Sequence, residues 1–203
     1  MYRTQWVILY KQKIRDNQNR IIIFTREFWK VTCWSKKTIQ SDIGSIASIL
    51  IDRKNGMNML HSIETISSLE SIFSTYDEII TFLSVITSLY TLLPESMEHR
   101  SIYDDMIRSI EVFTRTIWDH SHTEEVRVWI IQFFILLHIR ILKKLWFLRD
   151  ELFHISDVLR YIYIQIDIKN IHQISLGKNL PDHCLGKLRE IIVHTLHSFH
   201  YWT

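Results

Sequence analysis

A chain of 203 residues with only 4 Gly and 2 Pro has few places to reverse direction. Folds built from many short strands use those residues at their turns, so the scarcity predicts long helices. The longest uninterrupted stretch points the same way. From Glu124 to Ile168 the sequence runs EEVRVWIIQFFILLHIRILKKLWFLRDELFHISDVLRYIYIQIDI, without Gly or Pro. Its first part, Val128 to Ile139, is apolar on nearly every side. A helix of that kind is either a core helix or a membrane span. The apolar run is about a dozen residues, and a span needs roughly 20. Gln132 and His138 interrupt it, and Arg140, Lys143 and Lys144 close it. The reading is a buried central helix over 126–148, with no membrane span.

Composition bounds the rest. At 47% hydrophobic and 23% charged, the chain is expected to be globular, and its length suits one domain over 1–203. A net charge of +2 is too weak to argue for nucleic acid, so a nucleic-acid partner is not expected. Cys33 and Cys184 make no disulfide framework and read as buried free thiols. The start, MYRTQWVILYKQK, lacks the longer apolar region and cleavage site of a signal peptide, so the expected location is cytoplasmic. Alanine occurs only at Ala47, and isoleucine takes its place in the apolar stripes. Two explanations fit this bias equally: a biased genome, or a reading frame constrained by an overlapping viral gene.

Along the chain, 1–35 is ambiguous. Trp6 to Ile14 and Arg20 to Phe28 read as a hairpin around Asp16-Asn17-Gln18-Asn19, so 5–28 is where strand is expected if anywhere. A heptad through Val7, Tyr10, Ile14, Asn17, Ile21, Phe24, Phe28 and Val31 also fits. Helix is preferred for 20–34, and 5–14 stays open. Ser41 can cap a helix over 42–53 that Asn55-Gly56 ends, and a second helix is expected over 58–73. Thr75-Tyr76-Asp77-Glu78 is a capping box, opening a helix that Pro94 stops. Ser101 with Asp104 starts another. Ser121 to Glu124 is a second capping box, and a last helix runs from Pro181-Asp182 to about His200. The expected architecture is an all-α bundle of six to eight helices around 126–148.

The chemistry-bearing residues give little. Of 11 histidines, His120 and His122 lie between helices, and His194, His197 and His200 recur on the last one. No spacing matches a zinc motif, so no metal and no cofactor are expected. There is no nucleophile elbow and no phosphate-cradling glycine loop. Glu124-Glu125 and Asp104-Asp105 fall in first turns, where helix dipoles favour negative charge.

Two resemblances remain. Arg149-Asp150-Glu151-Leu152-Phe153-His154 resembles the Arg-x4-6-His motif of HEPN ribonucleases. That resemblance implies metal-independent RNA cleavage, with His154 as acid–base and Arg149 on phosphate charge. It is the alternative reading. The preferred one starts from the basic residues Arg140, Lys143, Lys144 and Arg149, interleaved with Leu145, Trp146 and Phe147. Arg140, Lys143, Lys144, Trp146 and Arg149 are the candidate binding residues of a docking surface. The stretch 107–145 also resembles the helical region of paramyxovirus C-type accessory proteins. The likeness runs through Arg108 with Glu111, Trp118, Glu124-Glu125 and Ile141-Leu142-Lys143-Lys144-Leu145. It implies a non-enzymatic viral accessory protein that binds host or viral proteins, antagonises interferon signalling and modulates the viral polymerase. Homodimerisation is a second expected way to cover exposed aromatics.

Overall fold

The computed structural model describes residues 2–15, 18–36, 39–73, 75–95, 97–119, 124–145 and 182–200. Strands β1 (Tyr2–Arg15) and β2 (Gln18–Thr25) pair antiparallel, with Val7 opposite Phe24 and Lys11 opposite Ile21. Strand β3 (Trp29–Ser35) returns antiparallel along β2. Strand β4 (Ile46–Lys54) crosses to the far edge of β1, and β5 (Met57–Ser67) folds back along β4. Two parallel pairs, Cys33–Asn58 and Trp34–Met59, join β3 to β5. The result is a closed barrel in the order β1-β2-β3-β5-β4. This is the connectivity of the five-stranded barrel called the OB-fold.

The barrel follows from side-chain alternation. Trp6 and Ile8, Ile21 and Ile23, Cys33, then Ala47, Ile49 and Ile51 all point inward and form one buried cluster. Each full burial of such a side chain stabilises by roughly 1.5–3 kcal/mol. β-Branched isoleucine suits this pleated surface better than it suits a helix. The run Ile21–Phe24 is buried on both faces of β2, because helices cover part of the barrel's outside.

Those helices are α1 (Leu69–Ile72) and α2 (Tyr76–Leu92), with the start of α3 (Arg100–Asp119). Thr75 and Glu78 exchange capping bonds at the start of α2, as the sequence predicts. Tyr90 of α2 stacks on Tyr10 at 4.8 Å, and Tyr103 meets Phe24 edge-on at 5.5 Å. Lys30 donates to the carbonyl oxygens of Tyr90 and Leu93, the latter at 2.8 Å. Its ammonium thus satisfies open carbonyls at the end of α2. Gly44 sits where only glycine fits. Its φ is +84°, and a Cβ there would lie 2.9 Å from the Phe82 ring.

The chain forms two compact units, 1–104 and 105–203, the division falling within α3. In the second unit α4 (Glu124–Lys144) packs against α5 (Asp182–His200). Ile130, Phe133, Phe134, Leu137 and Ile141 of α4 are all buried. Arg140 grips Asp105 with two bonds, Nε at 2.7 Å and Nη2 at 3.1 Å, and Lys144 bonds the same carboxylate.

The all-α bundle expected around 126–148 is therefore corrected: the chain is mixed α/β, and its first third is a barrel. Residues 20–34 are strands β2 and β3, not helix, and 42–53 and 58–73 are mostly strands β4 and β5. The hairpin alternative at 5–28 is the part that agrees. Asn55-Gly56 does not end a helix. Both residues take positive φ, 51° and 78°, and they turn β4 into β5. Among the described residues no helix is long and apolar enough to cross a membrane.

Candidate nucleic-acid interface

Register places a row of side chains across the barrel. Gln12 lies opposite Arg20, Arg20 opposite Trp34, Trp34 beside Met59, and Met59 opposite Asp52. Ile21 and Cys33 point inward, so their neighbours Arg20 and Trp34 point outward. Helix α2 covers Tyr10 and Lys30, and Tyr103 of α3 covers Phe24, at one side of this outer face, but Arg20, Trp34 and Met59 keep partial exposure. On the register of the row, Arg15, Lys36 and Lys54 are exposed, while the exposed Lys13 and Arg53 fall on the alternate register near the strand ends. A half-buried indole edged by cations offers a flat apolar plate and positive charge side by side.

The charge distribution matches this placement. Residues 1–67 hold 11 Lys and Arg against 5 Asp and Glu, a balance of +6. Residues 68–203 hold 13 against 17, a balance of −4. The whole-chain value of +2 is the sum of two oppositely charged segments. Sequence reasoning missed Arg20 and Trp34 because it read 20–34 as helix, and the uneven charge was the signal that could have found them.

A cleft of about 370 Å³ opens one residue beyond the Trp34–Met59 pair. Ser35, the 39–41 segment and Leu60 to Ile63 with Thr65 line it. Ser41 and Thr65 share a hydrogen bond of 2.5 Å across it, and Lys11 fixes the segment by donating to the Ser41 carbonyl at 3.1 Å. His61 on its rim lies 3.7 Å from the Asp52 carboxylate.

The ionisable groups inside the fold serve packing instead. Burial lowers the Lys30 pKa against the opposing pull of Glu95, and burial pushes the Cys33 thiol up to about 12. Cys33 is a free, buried core thiol, unsuited to nucleophilic chemistry. The side chain of Cys184 lies outside the described residues.

The candidate binding residues of α4 are distributed differently from a docking patch. Arg140 and Lys144 converge on Asp105 inside the second unit, and Lys143 is half-buried. Trp146, Arg149 and His154 lie outside the described residues, as do His120 and His122. His194 is exposed on α5, and His138 is buried on α4. Among the described residues no three His, Cys, Asp or Glu side chains gather as metal ligands would.

No family model matches the chain, and no curated protein matches it. The likeness of 107–145 to C-type accessory proteins, and the viral role it implies, thus draws no support from relatives.

Proposed function

We propose that this protein is a binding module for single-stranded nucleic acid, held across the outer face of β2, β3 and β5. The observation that carries the reading is the row Arg20–Trp34–Met59 on a barrel of this topology, with the exposed cations Arg15, Lys36 and Lys54 on the same register. Fold alone would not carry it, since one fold hosts many functions. The side chains supply the chemistry. Trp34 offers a ring on which a base stacks, whatever its identity, and the cations track the phosphates. Strands β2 and β3 with their flanking loops are the face such barrels use for oligonucleotides. Nothing in this arrangement cleaves or transfers a bond, so the reading is retention of a strand. A docking role through 140–149 is less well supported, because Arg140 and Lys144 are occupied by Asp105.

Fluorescence anisotropy with labelled single-stranded DNA and RNA tests the proposal. Binding should weaken steeply with salt, since each neutralised phosphate contributes about −0.7 to the logarithmic slope. Trp34→Ala should cost about 1–3 kcal/mol of binding, the size of one base–aromatic stack. Arg20→Ala should lower the salt slope. Absence of salt-sensitive binding, or a Trp34→Ala variant as tight as the parent, would reject the reading.

A further inference from the structure

We infer that Asp52 reads the Watson–Crick edge of guanine in the bound strand; this rests on the proposed binding of single-stranded nucleic acid. Asp52 ends the row that carries Trp34. It lies opposite Met59, which lies beside Trp34. Ile51 points inward, so Asp52 points outward, to the same face as Trp34. Two strand spacings of about 4.8 Å separate their backbones, roughly 10 Å in all. A base stacked on Trp34 can therefore lie over Met59 and turn its edge toward the carboxylate.

A carboxylate at this place opposes the phosphates that the nearby cations attract. Residues 1–67 hold 5 acidic side chains. Glu27 is engaged by Thr4 and Asp42 by Lys11, and neither lies on the row. Asp52 does lie on it, with its side chain 42% exposed. Its ion-pair partner among the described residues is His61, with Nε2 at 3.7 Å. That separation is too long for a hydrogen bond, so both carboxylate oxygens can still accept.

Bases in single strands are read on their Watson–Crick edges. An ionised carboxylate accepts there and never donates. Guanine presents two adjacent donors on that edge, N1–H and the N2 amine, which match the two oxygens. Adenine and cytosine set one amine beside a ring nitrogen that accepts. Thymine and uracil set one N–H between two carbonyls. Each of these four turns a lone pair toward the carboxylate and leaves it partly unsatisfied. Stacking on Trp34 tolerates every base, so the selection comes from Asp52.

The test uses the full chain and short DNA strands in which thymine alternates with guanine, adenine, cytosine or hypoxanthine. Hypoxanthine is guanine without the N2 amine. The guanine strand should bind about tenfold tighter than the adenine and cytosine strands, toward the lower end for a bidentate contact because Asp52 is partly exposed. The hypoxanthine strand should lose most of that advantage. Both comparisons use the unaltered protein, so they stay decisive if a variant misfolds. Asp52→Asn keeps the shape and replaces one acceptor by a donor, and it should bring the guanine strand level with the others. A carboxylate that only repelled phosphates would act on every strand alike. If Asp52→Asn tightens all strands by the same factor and keeps their order, the assignment is wrong. It is equally wrong if the unaltered protein binds guanine and hypoxanthine strands alike. In both cases the strand-binding reading stands as long as Trp34→Ala still weakens every strand. If no strand binds at all, both fail.

Discussion

His138 is 1% exposed on α4, with buried Leu137 and Ile139 as its chain neighbours. Burial pushes its pKa down from 6.5 to about 4. The folded chain therefore takes up the proton less readily than the unfolded chain. Between pH 6.5 and about 4 the unfolded state gains a proton that the folded state refuses. Stability should fall as pH falls through that window, by roughly 3 kcal/mol in full, and level off below it. His138→Gln keeps a hydrogen-bonding side chain without the titration. Thermal midpoints across that window should drop less for this variant than for the parent, and parallel curves would refute the assignment. At this scale the sequence is legible where a local rule acts alone, as at the Thr75–Glu78 capping box. It is illegible at Trp29, a bulky residue held at φ 59° in the turn from β2 to β3. No local preference predicts that conformation; the antiparallel pairing of Thr25 with Trp29 imposes it.

The helices of the second unit are held by one carboxylate as well as by apolar contact. The side chains of Asp105 and Arg140 are 10% and 11% exposed, so their charges sit largely out of water. Removing the carboxylate alone leaves two cations facing each other across a nearly dry site. Asp105→Ala should therefore cost on the order of 3–5 kcal/mol by chemical denaturation. Replacing Asp105, Arg140 and Lys144 together by apolar residues of similar size should cost much less. Equal losses in the two variants would show that packing, and not the charge pair, dominates there. Among the elements, α2 to α5 were legible from caps and stripes, β1 and β2 only as an alternative hairpin, and β3 to β5 not at all. The segment IASILIDRK of β4 alternates buried and half-buried positions at a period of two. The spacing of Ile43, Ile46 and Leu50 also fits a helix, and apolar residues at both sets of positions let both periods match. The turn at Asn55-Gly56 held the deciding information, because that dipeptide favours a two-residue hairpin turn.

For the molecule as a whole, the scarcity of glycine misled because a five-stranded barrel needs few special turns. Gly44 and Gly56 take positive φ, and Asn55 and Trp29 supply two further positive-φ positions. The candidate interface was hidden for a different reason. Arg20, Trp34 and Met59 lie on three separate strands and meet only through strand register, which no short window along the chain can see. The same long-range register has a consequence for how the protein is made. While the chain emerges from the ribosome, β1 to β3 can pair first, but their partners β4 and β5 arrive only with residues 46–67. Until then the meander has two open edges, β1 and β3, each a template for another nascent chain. Refolding of the complete chain should be slow, in the millisecond-to-second range of barrels dominated by non-local pairs. A chain stopped after residue 45 should aggregate at concentrations where the complete chain refolds, and supplying 46–67 as a separate peptide should delay that aggregation. The cell that makes this protein would thus meet its greatest hazard during synthesis, in the interval between the third strand and the fifth.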